Sequence, residues 1–197
     1  LDEQGKETGE GGQALSKVAS IDCSNAYAPL ADCHFRVACD VTNPLCGPNG
    51  ATYIYGPQKG VTADIRDLLD ISMSHYASVV AKTTGKNHSE AQGAGAAGGL
   101  GFAFLSFLKA ELTPGIDLIL DAVNLEDSMK EADIVITGEG RLDFQTAMGK
   151  APIGVAKLGK KHGAKVLAFA GSVTPEATAC NDAGIDAFFP IVRGVCT

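Results

Sequence analysis

The chain has 197 residues, and 16 Lys and Arg against 23 Asp and Glu give it a formal net charge of −7. Its 45% hydrophobic and 20% charged residues are typical of a folded, soluble globular protein and exclude global disorder. The acidic balance excludes broad nucleic-acid binding, and no apolar stretch reaches the ~18–20 residues of a membrane span, so we expect neither a nucleic acid nor a membrane as partner.

Cysteines are concentrated near the N-terminus, where β-branched residues predict short strands at residues 18–21 and 35–39. Four of the six cysteines fall between residues 23 and 46 together with His34, which raises zinc binding as one interpretation. The nine, five and six residues between them match no usual zinc-binding spacing, so we favour reduced, buried thiols in a cytoplasmic protein. The six are Cys23, Cys33, Cys39, Cys46, Cys180 and Cys196.

A turn-dense loop follows the second predicted strand. Residues 43–50 read NPLCGPNG, and a second Gly-Pro step falls at residues 56–57. Long ordered loops in compact domains are often functional, which makes this loop a candidate binding element. Asp40, which precedes it, is either a catalytic base or a simple turn former.

Two predicted helices make up the middle of the chain, one starting after Thr62 and one at residues 96–112. Between them, residues 93–98 read GAGAAG, which has the letters of a dinucleotide-binding fingerprint but lacks the strand that should precede it. We favour close backbone packing, or a cradle of backbone N–H groups, over a nicotinamide dinucleotide site. A nicotinamide-dependent oxidoreductase stays open as an alternative function.

The last third of the chain has the clearest pattern. Strands at 134–137, 166–170 and 187–192 alternate with helices at 146–162 and 175–183, which predicts a parallel sheet with crossover helices and therefore an α/β fold. Ligands of such sheets bind at the carboxyl ends of the strands, so we expect residues 138–145 and 171–174 to lie on one functional edge.

Charged side chains crowd that edge. Glu139 and Asp143 can hold Mg²⁺ through water or accept a proton, and Arg141 can grip a carboxylate or phosphate. The alternative is a salt-bridged loop in which Asp143 or Thr146 caps the next helix. Lys150 follows Gly149 as in a phosphate-binding loop, but neighbouring residues depart from that motif, and the lysine either reaches a ligand or is a solvated surface residue.

Three segments resemble signature segments of the bacterial type I glycerate kinase family, in the same order along the chain. They are DVTNPLCGPNGA (40–51) with YGPQKG (55–60), GAGAAGGLG (93–101), and TGEGRLD (137–143) with QTAMGKAP (145–152). The resemblance implies a kinase that uses ATP and Mg²⁺ to phosphorylate D-glycerate to 2-phosphoglycerate, with a homodimer as one assembly. Because family members are considerably longer, an inactive ligand-binding fragment of that enzyme is the alternative.

The family resemblance also implies a fold of two parts, a Rossmann-like domain with a second α/β domain inserted into it. Residues 1–130 would then be largely the inserted domain with its Gly/Pro-rich loop, and residues 131–197 the parallel βαβαβ part of the Rossmann-like domain.

Catalytic and binding roles follow from the same resemblance as hypotheses. Asp40 or Asp143 would accept the substrate proton, Glu139 with one of these aspartates would position Mg²⁺, and Arg141 and Lys150 would grip the glycerate carboxylate or the phosphates. We expect the 40–60 and 137–150 segments to fold into one pocket. The residues expected around substrate or nucleotide are Asn43, Gly47, Asn49, Gly50, Gly93, Gly95, Gly98, Gly99, Gln145 and Thr146.

Overall fold

The computed structural model describes residues 1–192. Its internal contacts divide the chain into two units, Leu1–Gly115 and Ile116–Thr197. The division falls before the predicted domain boundary at residue 130. Assignment of the units to an inserted and a Rossmann-like domain stays a prediction.

A long helix organises the first unit. Helix α2 begins after Thr62, as predicted, and ends at Gly85, whose φ of 77° supplies the left-handed conformation that stops a helix. One of its faces packs on a small core of Leu45, Ala77, Val80, Ala94 and Phe102. The helices and strands of this unit are β1 (Arg36–Ala38), α1 (Ala51–Tyr55), α2 (Ala63–Thr84), α3 (Leu100–Phe107) and β2 (Glu111–Thr113), with 3₁₀ helices at Gly12–Lys17, Ala28–Asp32, Pro57–Lys59 and Ala96–Gly98.

Two sequence predictions for the first unit are wrong. Residues 18–21 form no strand, because the N–H groups of Ala19 and Ser20 bond the Leu1 carbonyl oxygen and no strand pairs with them. The helix predicted over 96–112 stops at Phe107, and Lys109 takes a φ of 51°. The chain then forms β2, which pairs in parallel with β1, so pairing with a distant strand overrides local helical periodicity.

The cysteines are only partly buried. Cys180 is buried, but Cys23 and Cys33 are exposed, which corrects the expectation of buried thiols. Both lie in the first 35 residues, where the 3₁₀ helices contain no buried residue. Burial, together with Asp70 and Glu90, raises the pKa of the Cys46 thiol to about 12. Cys196 lies outside the described residues.

The second unit contains the predicted parallel sheet. Its three strands have the order β3-β4-β5 and are parallel throughout, with Ile136 opposite Leu167 and Ala168 opposite Phe188. The elements of this unit are β3 (Ile134–Leu142), β4 (Lys165–Val173) and β5 (Ala187–Pro190), with α4 (Gly115–Ala122), α5 (Leu125–Met129), α6 (Phe144–Ala147), α7 (Ala151–Lys161), a 3₁₀ helix at Pro175–Thr178 and α8 (Ala179–Asp182).

Strands β3 and β4 are longer than predicted. They run through the residues expected to form loops, so that Glu139 pairs with Ala170 and Arg141 with Ser172. A Cβ at Gly138 would lie 2.2 Å from the Phe169 carbonyl oxygen, so glycine permits the strands to approach here. The helix predicted over residues 146–162 is two helices in the structure. Gly149, with a φ of 107°, separates α6 from α7.

One face of the sheet is buried. Val135, Val166 and Ala168 pack beneath α7 in a core that also contains Ile153 and Leu142. Two further helices contact α7: Ile116 near the start of α4 packs against Gly154 of α7, and α5 also packs on α7. In the described part of the chain, no helix has the length and hydropathy needed to cross a membrane.

Candidate functional site

Asp143 caps helix α6 at the carboxyl end of β3. Its Oδ1 accepts hydrogen bonds from the backbone N–H groups of Gln145 (2.9 Å) and Thr146 (3.2 Å). The Asp143 N–H in turn donates to Thr146 Oγ1 at 3.2 Å, which completes a reciprocal capping box. The helix cap that the sequence analysis gave as the alternative interpretation is therefore present, with Asp143 as the capping residue.

Thr146 joins the two carboxylates of this segment. It is fully buried, and its hydroxyl donates to Glu139 Oε1 while accepting from the Asp143 N–H. A threonine hydroxyl has one proton to donate, and here that proton is directed at Glu139. From the sequence, we expected Thr146 to contact substrate or nucleotide. In the structure, its hydroxyl is buried and hydrogen-bonded to Glu139.

Two cations flank Asp143. Lys150 Nζ lies 3.7 Å from Asp143 Oδ1, and Arg141 is exposed on β3 and takes part in none of the ion pairs among residues 1–192. Desolvation raises the pKa of the Asp143 carboxyl, but the Thr146 and Gln145 amides and the charges of Lys150 and Arg141 outweigh it, and the net pKa is lowered. Asp143 is therefore an anion at neutral pH and a weak base.

The donor chemistry of Glu139 and Asp143 fits Mg²⁺. Among residues 1–192 there is no group of three or more His, Cys, Asp and Glu placed to hold a metal ion. Mg²⁺ commonly binds one or two carboxylates and completes its shell with water and phosphate oxygens. The hydrogen bonds and ion pair of Asp143 all use Oδ1, which leaves Oδ2 for such a contact within the described structure.

In the first unit, the 43–50 loop is held by Asn43. The Tyr55 hydroxyl donates to Asn43 Oδ1 (2.6 Å), Asn43 Nδ2 donates to the Asn49 carbonyl oxygen (2.8 Å), and the Gly95 N–H donates to the Asn43 carbonyl oxygen (2.9 Å). The 43–50 loop and the 93–99 segment therefore contact each other. Both ends of the Asn43 side-chain amide are therefore hydrogen-bonded, one to α1 and one to the 43–50 loop itself.

Glycines in the 93–99 segment serve close packing. A Cβ at Gly95 would lie 2.3 Å from the Pro44 carbonyl oxygen, and one at Gly93 would lie 2.8 Å from Cys39 Sγ. The N–H groups of Gly98 and Gly99 bond the carbonyl oxygens of residues 95 and 96. The close packing that we favoured is therefore present at Gly93 and Gly95, whereas a Cβ at Gly98 would meet no atom within 4 Å. Turns, and no strand, precede Gly93, so the structural context of a dinucleotide fingerprint is missing.

Asp40 and Gly47 also have partners within the first unit. Asp40 Oδ1 accepts from the Gly115 N–H at 2.8 Å, at the first residue of α4. The Gly47 N–H donates to both carboxylate oxygens of Asp70 on α2, at 3.2 and 3.0 Å, and the Gly50 N–H bonds the Gly47 carbonyl oxygen at 2.8 Å. Asn49 is exposed.

Sequence reasoning missed Tyr55 and Asp70. Tyr55 lies inside the segment YGPQKG, so the motif itself could have drawn attention to it. Asp70 stands between Leu69 and Ile71 in the middle of α2, where a lone carboxylate resembles any other polar residue of an amphipathic helix. Only the fold brings it to the 43–50 loop.

Comparison with known proteins gives a consistent result. Residues 1–197 match the model of the Glycerate kinase family. The chain is 51% identical over 194 residues to a protein named glycerate kinase from Bacillus subtilis (98% of this chain, 51% of that protein) and 46% identical over 196 residues to one named glycerate 2-kinase from Escherichia coli (100% and 51%). The chain spans about half the length of these curated relatives.

A solved structure agrees with the sequence comparisons. A crystal structure described as that of a glycerate kinase 2 from Salmonella typhimurium LT2 superposes with a TM-score of 0.84 at 43% identity. The superposition covers 100% of this chain and 50% of that one. The likeness therefore extends over both units of the chain.

Proposed function

Because the chain belongs to the glycerate kinase family, we propose that it takes part in ATP-dependent phosphoryl transfer to D-glycerate, with Mg²⁺, to give 2-phosphoglycerate. The observation that carries this proposal is the arrangement at the end of β3, where Thr146 links the Glu139 and Asp143 carboxylates. Lys150 lies beside them, and Arg141 is exposed and forms no ion pair with any of residues 1–192. Phosphoryl transfer needs mainly alignment and charge neutralisation, and this set of side chains supplies both.

Each side chain then has a definite role. Arg141 binds the glycerate carboxylate or a phosphate, for which a planar guanidinium suits bidentate contacts, and Lys150 adds a second positive charge. Glu139 and Asp143 would hold Mg²⁺, which when bound neutralises phosphate charge. Gln145 is exposed next to the Asp143 cap and contacts substrate or nucleotide.

The lowered pKa of Asp143 supports a role in holding the metal ion rather than in accepting the substrate proton. A carboxylate stabilised by two amides and two cations binds a proton weakly, so we assign Asp143 to the metal and Asp40 to the substrate hydroxyl. The 43–50 loop and the 93–99 segment would surround substrate or nucleotide through Asn43, Gly47, Asn49, Gly50, Gly93, Gly95, Gly98 and Gly99. Of these, Asn43, Gly93 and Gly95 act through packing and hydrogen bonds within the first unit.

A coupled ADP-release assay tests the proposal. Arg141→Ala and Asp143→Asn should each lower kcat/KM by about 10²-fold or more, because each removes a charge that acts on the transition state. Lys82→Ala, an exposed lysine on α2, is the control and should leave the rate unchanged. Rates near wild type in both site variants would remove the 138–150 segment from the mechanism.

A second candidate function is ligand binding without phosphoryl transfer. The alternative from the sequence analysis is a module that binds ligand without turnover. Calorimetric titration with ATP, Mg²⁺ and D-glycerate separates the two, since the module would bind them and release no ADP. A cytoplasmic location and a homodimer remain predictions, and sedimentation equilibrium tests the dimer.

A further inference from the structure

One carboxylate lies on the core-facing side of α2. Met73, Ala77 and Val80 of this helix pack in the core of the first unit, and helical spacing places Asp70 on the same face, one turn earlier. Asp70 is half-buried and takes part in none of the ion pairs among residues 1–192. Because burying a carboxylate is costly unless hydrogen bonds compensate, its partner identifies its role.

The partner of Asp70 is the backbone of the 43–50 loop. The Gly47 N–H lies 3.2 Å from Asp70 Oδ1 and 3.0 Å from Oδ2, so both carboxylate oxygens share one donor. Gly47 takes a φ of 85°, a left-handed conformation that favours glycine. A hydrogen bond to an ionised acceptor is stronger than one between neutral groups. Asp70 therefore holds the loop at its left-handed turn.

The 43–50 loop is held at a second point close by. The Leu45 side chain is fully buried, and its N–H donates to the Ser89 carbonyl oxygen at 2.8 Å. Asn49 of the same loop is exposed. The loop is thus fixed to the protein through Leu45 and Gly47 and leaves Asn49 accessible. A loop whose shape is fixed beforehand loses less conformational entropy when it binds a ligand.

We propose that Asp70 is a positioning residue of the substrate or nucleotide site, and that it holds the Gly47 N–H so that the 43–50 loop keeps the shape that surrounds the ligand. This inference rests on the proposed function, which assigns the loop to substrate or nucleotide. Asp70 acts through the loop and touches no ligand itself. Its acceptor oxygen is therefore essential, whereas its negative charge only strengthens the bond.

Two kinds of substitution separate the acceptor from the charge. Asp70→Asn removes the charge but keeps a side-chain oxygen for the Gly47 N–H, whereas Asp70→Ala removes both. Asp70→Leu also removes both, and its apolar side chain of similar size suits the core-facing position if alanine impairs folding. Asp67→Asn is the matched control, because Asp67 lies on the same helix but accepts from the Tyr53 hydroxyl.

Calorimetric titration with D-glycerate, and separately with ATP and Mg²⁺, measures the effect on the site. Asp70→Ala and Asp70→Leu should weaken binding of the ligand that the 43–50 loop contacts by about tenfold and leave the other ligand unchanged. Asp70→Asn should weaken it by about threefold or less, and Asp67→Asn should bind as the unmodified chain does.

Alkylation of Cys46 reports on the 43–50 loop without any ligand. Cys46 is half-buried beside Gly47, and burial, Asp70 and Glu90 raise the pKa of its thiol to about 12. Asp70→Asn and Asp70→Ala remove the same charge, so both should react faster with iodoacetamide than the unmodified chain. Asp70→Ala should react severalfold faster than Asp70→Asn, because it also releases the loop. Fragmentation mass spectrometry assigns the label to Cys46.

Each result decides for or against the role of Asp70. Binding that is lost in Asp70→Ala and Asp70→Leu but retained in Asp70→Asn and Asp67→Asn supports it. Equal affinity in all variants overturns it, as does an Asp70→Asn variant as weak as Asp70→Ala, which would show that the charge acts on the ligand directly. Equal Cys46 rates in Asp70→Asn and Asp70→Ala also overturn it. An unmodified chain that binds neither ligand contradicts the proposed function itself.

Discussion

The single hydroxyl group of Thr146 bonds Glu139 and the Asp143 backbone at once, with no access to water. Replacing it affects both partners. Thr146→Val keeps the shape of the side chain but removes the donor to Glu139 and the acceptor for the Asp143 N–H. Because unsatisfied buried polar groups are costly, we expect the free energy of unfolding to fall by about 1–3 kcal/mol.

Urea denaturation measures this loss, and Thr146→Ser is its control. Serine retains the hydroxyl and gives up only a methyl group, so its cost should be clearly smaller than that of valine. If valine were as stable as the unchanged chain, or serine as damaging as valine, the hydroxyl would not be what holds Glu139.

Asp143 should make stability depend on pH. Its pKa is lowered in the folded state, so its contribution is fully present above the pKa of the unfolded chain, near 3.8, and is lost as pH falls through the folded pKa. Asp143→Asn removes that dependence. The difference in Tm between wild type and Asp143→Asn should be constant from about pH 6 to 7 and shrink below about pH 4.

Thermal melts across this range check the sign of the effect. Asp22→Asn is a useful comparison, because the pKa of Asp22 is also lowered, by hydrogen bonds from Ser24, but no cation is among its causes. Added salt should therefore weaken the effect of Asp143 more than that of Asp22. A Tm difference that grows as the solution becomes acidic would contradict the lowered pKa.

At the scale of elements, the 43–50 loop and the 93–99 segment depend on a close backbone approach. Gly95 has an ordinary φ of −76°, so alanine there would be unstrained, but its Cβ would lie 2.3 Å from the Pro44 carbonyl oxygen. Gly95→Ala must push the two segments apart. We expect a loss of about 1–3 kcal/mol in the free energy of unfolding.

Gly140→Ala is the matched control for this prediction. A Cβ at Gly140 meets no atom within 4 Å, so the substitution should change stability little. Chemical denaturation of both variants compares the two directly. An unaffected Gly95→Ala variant would show that the loop can move away without cost and that close packing is not its role.

At the scale of the whole molecule, each unit has its own core. The first unit packs around Leu45 and Phe102, and the second packs beneath the three parallel strands. The second core lies on the side of the sheet that faces α7, whereas Ile134, Ile136, Phe169 and Phe189 of the same strands are exposed.

Local information in the sequence determined a good part of this protein. Three sequence motifs indicated the protein family, and helical spacing after Thr62 located α2. The alternation of apolar runs with helical stretches predicted the parallel sheet and the order of its strands along the chain. These features depend on residues near one another in the chain, so periodicity and spacing are enough to find them.

Only the tertiary structure decided the rest, since it depends on contacts between residues distant in sequence. Residues 111–113 are a strand because β1 offers them a partner, although their local period is helical. Asp70 reaches Gly47 because α2 packs beside the 43–50 loop. Thr146 hydrogen-bonds Glu139 of β3, which pairs with β4 beyond Gly138, and no local pattern encodes how far a strand will pair.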